Sequence, residues 1–252
     1  QQQLDGRGTQ VDTDVQFQTH HSYTCCLHNI VFISYNTTTR KASPVGKIAL
    51  EKMAGRTYNV RINERIGGRI MKAWKHFKTI TKHRLIVMAG CFRVGLVWQG
   101  LTHDLSKYSP TEFLMGAKYY QGTRSPNTAE REDKGYSQAW MHHKGRNRHH
   151  YEYWTDMNRA TRNYESVPMP RKYLVEMVMD RRAACITYQG AAYTDASALN
   201  YFMGSREREL MHPQTRRELE FVLTMLRDKG EKETFSYLKN CVLRGKPFPW
   251  EE

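Results

Sequence analysis

Eight of the eleven histidines lie after Met71, and six of those eight follow a suggestive order. His103 and Asp104 are adjacent. His142–His143 and His149–His150 form two pairs seven residues apart. Seven residues is close to two helical turns, so equivalent members share a face if one helix carries both pairs; Gly145 between them could end that helix. His83 precedes His103 by twenty residues, and Asp180 follows between apolar Met179 and the Ala183-Ala184-Cys185 run.

Imidazole and carboxylate together suit a divalent metal such as Mn, Fe, Zn, Ni or Mg, and the lack of nearby cysteines argues against a thiolate structural zinc. A carboxylate shared by two ions, with histidines capping each, would let a bound water become hydroxide near neutral pH, and hydroxide can attack phosphorus. About six ligands are needed. His83, His103, Asp104, His143, His149, His150 and Asp180 are the candidates, with one member of each doubled pair facing inward and His143 and His149 favoured. Lys107, one turn beyond His103, is placed to meet a phosphate. Arg146, Arg148 and His142 are the other phosphate candidates. Glu152 suits a general base or an orienting group, or equally an ion pair with Arg148. Simpler readings stand beside these. Asp180 could pair with Arg181 or Arg182, His83 could be a surface histidine on a basic helix, and the "HHKGRNRHH" stretch could be an anion-binding surface. Asn147 reads as a turn residue, Glu176 as a helix-surface carboxylate, and His76 and His212 as structural. Tyr151, Tyr153 and Trp154 read as core.

Helices must position these groups. "MKAWKHFKTITKHRLIVMAGCFRVGL" places Trp74, Phe77, Ile80, Leu85, Met88 and Cys91 near one helix face, with a break at Gln99-Gly100. Ser109-Pro110-Thr111-Glu112 reads as a helix start with a capping box, running to about Tyr120. Residues 121–136 read as a polar loop, and two short helical pieces flank Gly145. "RKYLVEMVMDRRAACITYQG" is an amphipathic helix ending at Gly190. Asp195 is placed to cap a helix through Phe202. A helix from Pro213 stops at Gly230, and another runs from about Lys232 to Leu243. No segment alternates with period two, so the pattern is all-α.

Composition bounds the rest. The 252 residues are 39% hydrophobic and carry 39 basic against 25 acidic side chains, a net charge of +14. Such a surface attracts polyanions without choosing among nucleic acid, membranes and phosphorylated small molecules. No apolar run of 18 residues is present, which excludes a spanning helix. Five cysteines without a CxxC suit a reducing, cytoplasmic setting. Residues 1–70 hold one methionine, Met53, against eleven from Met71 onward, and open on a polar Gln- and Thr-rich stretch. They read as a poorly structured extension or an upstream read-through, with one short strand at Ile30 to Tyr35. Cys25, Cys26, His20, His21 and His28 have poor spacing for a zinc site. The folded domain is expected over residues 71–252.

Four segments, "HFKTITKHRLIVM", "GLTHDLSKYSPTEF", "AWMHHKGRNRHHYEYW" and "VPMPRKYLVEMVMDRRAAC", together resemble an uncharacterised family of bacterial and phage proteins over about residues 71–243. That resemblance implies a fold and no activity. More widely, His83, then His103-Asp104, then later histidines, then Asp180 is similar to the H…HD…H…H…D order of the HD-domain metal-dependent phosphohydrolases. "HDLSK" also looks like that superfamily's HD-x-x-K variant. This resemblance implies an HD-like helical bundle with one or two divalent ions and a nucleotide or other phosphorylated small molecule as substrate. The expectation is a metal-dependent phosphohydrolase. The rivals are a basic nucleic-acid or nucleotide-binding module without turnover, and a His/carboxylate iron redox protein.

Overall fold

A computed structural model describes the backbone of residues 44–251 and the side chains of residues 66–251. The anticipated strand at Ile30 to Tyr35 and the Cys25–Cys26 region lie outside the described residues. The chain divides into a unit ending at Glu51, of which only the start of the first helix is described, and a unit from Lys52 to Glu252. Among the described residues there are nine α-helices and one two-stranded hairpin, so the protein is all-α.

Helix α1 (Pro44–Val94) begins well before Met71. Its buried positions from residue 76 onward are His76, Ile80, His83, Val87, Gly90, Cys91 and Val94, a stripe stepping mostly by three and four residues. The face anticipated from residue type is only partly that stripe. Ile80 and Cys91 are buried, but Trp74, Phe77 and Leu85 are 53%, 37% and 51% exposed. The reading followed apolar character, whereas two positions of the buried face carry histidine. α1 ends where Gly95 takes φ 88°, a left-handed conformation that glycine enters without a Cβ clash. The chain then forms α2 (Val97–Thr102), which contains the Gln99-Gly100 pair expected as a break.

After a 3-10 turn at Leu105–Tyr108 comes α3 (Pro110–Lys118). Ser109 caps it as expected, its Oγ facing the Glu112 N–H, and Pro110 occupies the first turn. The second half of the capping box is absent, because the Glu112 carboxylate turns instead to two histidines. The segment 121–136, expected as loop, contains α4 (Pro126–Lys134). Its only buried residues are Ala129 and Glu130, so no apolar stripe announces it. Glu130 is held there by Ser137 Oγ at 2.7 Å and Lys134 Nζ at 3.1 Å.

Helix α5 (Gln138–Lys144) stops before Gly145, as anticipated. A hairpin of β1 (Thr155–Met157) and β2 (Tyr164–Ser166) follows, antiparallel, with Thr155 opposite Ser166. Three-residue strands on an exposed ribbon are too short to show a period, which is why sequence patterning missed them. Helix α6 (Arg171–Gln189) is less one-sided than its sequence suggests: Leu174 to Met179 are buried in succession. Burial all round a helix marks a central element. α7 (Ser197–Met203) and α9 (Pro213–Asn240) pack on α6, with short α8 (Glu207–Leu210) between them in sequence. Asp195 does not cap α7; it accepts the Tyr193 hydroxyl, and Ser197 Oγ meets the Thr194 N–H. Gly230 breaks α9 with φ 74° and ψ 178°, and a second helical stretch continues immediately past it. The core gathers Val87, Leu174, Val178, Phe202, Leu223 and Phe248. Tyr151 and Trp154 pack against it, while Tyr153 is more exposed. Among the described residues no helix is long and apolar enough to cross a membrane.

Candidate metal centre

Asp104 occupies the middle of a buried cluster. It follows α2 with φ 53° and ψ 26°, a left-handed conformation that costs a non-glycine residue about 1–3 kcal/mol and tends to persist where function requires it. Its carboxylate is buried. Oδ2 has Lys107 Nζ at 2.6 Å, His103 Nε2 at 3.3 Å and His83 Nε2 at 3.8 Å. Oδ1 has His143 Nε2 at 3.2 Å and His149 Nε2 at 3.4 Å. Asp180 Oδ1 lies 2.9 Å from His83 Nε2 and 3.5 Å from His103 Nε2.

Each ligand arrives on its own element. His83 comes from the buried stripe of α1, and His103 and Asp104 from the end of α2. His143 comes from α5, His149 and His150 from the turn after it, and Asp180 from α6. Close as these groups are, few of the contacts are good hydrogen bonds. The Nε2 atoms of His83, His103, His143, His149 and His150, and Oδ1 of Asp104, are buried without a hydrogen-bond partner, while Asp104 Oδ2 is met by the Lys107 ammonium. A buried polar atom left unpaired costs about 1–3 kcal/mol. Six of them converge on one region, and together they form a donor set that could hold a cation.

The outward sides of the rings are fixed. Glu176 Oε1 lies 3.0 Å from His103 Nδ1 and 3.3 Å from His149 Nδ1. Glu112 takes His143 Nδ1 at 2.8 Å with one oxygen and His142 Nδ1 at 2.6 Å with the other. A carboxylate on Nδ1 holds the proton there and leaves the Nε2 lone pair facing inward, as metal-ligating imidazoles require. Asn147 adds a brace, its Nδ2 donating to Ser106 Oγ at 2.9 Å and to the His143 carbonyl at 2.8 Å.

Electrostatics agree with this arrangement. Burial alone would raise the Asp104 carboxyl, but His103, Lys107 and His143 outweigh it and hold the group well below the usual carboxylate range. Asp180 is likewise raised by burial, then carried far lower by His103 and His83. Burial drives His150 well below its ordinary value, and the neighbouring His149 and His143 add to the effect. Burial also lowers His83, against the pull of Asp180. At His103, burial is overcome by Asp104, Asp180 and Glu176, so that imidazole lies well above its ordinary value.

Two overlapping groups of four could each hold an ion. One is His83, His103, Asp104 and Asp180; the other is Asp104, His143, His149 and His150. Within each, the ligating atoms lie within 4.8 Å of one another. The structure therefore brings together all seven residues anticipated as ligands, and His150 joins His143 and His149. It separates the others. Lys107 touches the cluster. Glu152 lines the adjoining cavity with Oε2 buried and unpartnered, and burial pushes its carboxyl up. Arg146 and Arg148 are exposed: one donates to the His142 carbonyl, the other to the Tyr173 hydroxyl, and neither lines the cavity. His142 turns to Glu112 and away from the cavity.

Sequence reasoning missed both supporting glutamates. Glu176 stands four residues before Asp180, so the shared helix face was available as a signal. Glu112 had none, since its position three residues after Ser109 already had a capping explanation. Arg181, which lines the cavity beside Asp180, was read only as an ion-pair partner. The cavity has a volume of about 530 Å³, with His83, His143, His150 and Asp180 at one end.

The model of a family of unknown function, DUF5662, matches residues 72–225. The chain belongs to the DUF5662 family. The match spans every residue of the cluster and both supporting glutamates. No curated protein and no solved structure matches the chain.

Proposed function

We propose that this DUF5662 member is a metal-dependent phosphohydrolase acting on a phosphorylated small molecule. The observation that carries this reading is the convergence of five unpartnered imidazole nitrogens on a buried carboxylate shared between two groups of ligands. The donor set fits divalent cations: nitrogen and oxygen, no sulfur, with the rings already oriented. The ligand order also resembles that of the HD-domain metal-dependent phosphohydrolases.

His83, His103, Asp104 and Asp180 would hold one ion, and Asp104, His143, His149 and His150 the other. Such a pair supplies a nucleophile from water near neutral pH and offsets charge developing on a phosphoryl group. The chain's own residues supply the rest. Glu112 and Glu176 keep the rings from swinging. Lys107 brings an ammonium that Asp104 holds above its ordinary pKa, available to a phosphate oxygen throughout the neutral range. Arg181 adds a second cation on the cavity wall. The rival reading as a basic surface loses much of its support at "HHKGRNRHH", because His143 and His149 in that stretch are buried.

Elemental analysis of the purified protein tests the reading, paired with hydrolysis of para-nitrophenyl phosphate in Mn²⁺ with and without chelator. About two ions per chain and chelator-sensitive release of nitrophenol are expected. Metal-free protein that binds DNA with steep salt dependence would point to the nucleic-acid module instead. Oxygen uptake by the ferrous form would point to redox chemistry.

A further inference from the structure

Helices α1 and α6 both line the cavity beside the cluster. On α1, His83 stands at the cluster end, and Ile80 and His76 line the wall in the N-terminal direction. On α6, Asp180 stands at the cluster end, and Ala184 and Tyr188 line the wall in the C-terminal direction. His76 is seven residues from His83, about 10 Å along the helix axis, and Tyr188 is eight from Asp180, about 12 Å. Along these two helices the lining therefore runs from charged residues at the cluster, through apolar Ile80 and Ala184, to polar His76 and Tyr188 at the far end.

His76 is built into that far end. It is 6% exposed, and its Nδ1 is buried with no hydrogen-bond partner. Phe113 and Tyr120 flank its ring, with centroids at 5.5 and 5.8 Å. Gly116 makes room for it: a Cβ there would fall 2.2 Å from His76 Nε2. Most buried histidine nitrogens are paired, and this one is not.

We propose that His76 forms a distal subsite that reads an uncharged hydrogen-bonding group on the substrate, about 10 Å from the phosphate held at the metal cluster. This inference rests on the phosphohydrolase reading and adds a substrate class to it: a phosphomonoester of about nucleoside size, with an apolar or flat middle and a neutral polar end. The cavity's volume of about 530 Å³ suits a single small molecule. Burial, reinforced by the Lys107 charge, lowers the His76 imidazole to about 4. It is neutral at physiological pH and offers one N–H and one lone pair, which suits a polar uncharged partner and gives no grip on an anion.

The test is equilibrium binding to the full chain in Mn²⁺, using three probes. Inorganic phosphate tests the cluster alone, glycerol 3-phosphate is too short to reach His76, and uridine 5′-monophosphate spans the cavity. The wild type is expected to bind the nucleotide about tenfold tighter than glycerol 3-phosphate. His76→Phe removes that advantage and leaves the two shorter probes unchanged, whereas His76→Gln, which keeps a donor and an acceptor, retains most of it. Gly116→Ala, which displaces the ring without changing it, reproduces the loss if His76→Phe folds poorly. An unchanged nucleotide advantage in His76→Phe and Gly116→Ala overturns the distal subsite. Failure of all three probes to bind the wild type overturns the phosphohydrolase reading itself.

Discussion

Around Oδ2 of Asp104 stand His83 and His103, with Asp180 completing the group; around Oδ1 stand His143 and His149, with His150 completing it. The first half offers two imidazoles and two carboxylates, the second three imidazoles and only the shared carboxylate. Both are buried, so the difference lies in charge. A divalent ion in the first half would meet two carboxylates, one of them paired with Lys107, and in the second it would meet one. Low-dielectric surroundings amplify that contrast. On the proposed reading the first half would be the stronger seat, and the second the more selective for metals that favour nitrogen. Asp104 couples the two.

The largest effect should come from removing that coupling. Asp104→Ala takes a ligand from both halves at once, and metal content is expected to fall from about two ions per chain to near zero. Hydrolysis should fall by about a thousandfold or more, since nucleophile generation depends on the ions. Elemental analysis beside kinetics checks this. An Asp104→Ala protein that retains two ions would mean that the halves are independent and that Asp104 is not their bridge.

Cutting one half at a time should come next. Asp180→Ala and His150→Ala are each expected to leave about one ion per chain, with activity reduced roughly a hundredfold in both. The comparison is sharpened by chelator titration. In the wild type the second half should empty first, because it holds its ion with one carboxylate. His150→Ala should therefore retain the ion that resists chelator, and Asp180→Ala the one that does not. The reverse order would show that imidazole number outweighs charge here.

Much of this cluster is legible in the sequence because the chemistry proposed for it restricts residue type. His83, His103, Asp104, His143, His149, His150 and Asp180 are scarce chemistries in helical surroundings, and their order alone assembled the set. The supporting groups are a different matter. A glutamate that orients a ring can stand wherever its side chain reaches, and Glu112 does so from a helix start where capping explained it equally well. The same limit applies to α1. Its buried stripe includes His76 and His83, while Trp74 and Leu85 face outward, so ranking residues by apolarity selected a face that tertiary packing buries only in part. α4 and the hairpin were missed because one buries almost nothing apolar and the other is only three residues deep.

The supporting glutamates separate the halves in a further way. Glu176 contacts one ring from each half, His103 and His149, whereas Glu112 contacts His143 and no ring of the first half. Loss of such a partner typically weakens metal affinity by about 10–100-fold. Glu176→Gln should therefore weaken both binding steps, and Glu112→Gln only the second. Stepwise calorimetric titration of Mn²⁺ into stripped protein distinguishes them. Equal weakening of both steps by Glu112→Gln would break the division.

The smallest difference between the halves should be in their response to pH, and the reason is that each contains one imidazole of either kind. Burial lowers His83 in the first half and, far more, His150 in the second, so both are neutral and have no proton to lose. His103 and His143 go the other way. Burial opposes the charged form at each, but Asp104 with Asp180 and Glu176 raises the one, and Asp104 with Glu112 raises the other. In stripped protein these two rings hold a proton that an incoming ion must displace. Metal affinity is accordingly lost as pH falls below the raised values and levels off above them, by about tenfold per pH unit for each proton displaced. One raised imidazole in each half gives the two steps similar slopes despite their different strengths. Calorimetry in buffers of different ionisation enthalpy should count about one proton released per ion. Two protons in one step and none in the other would locate both raised imidazoles in a single half and undo the symmetry of the comparison.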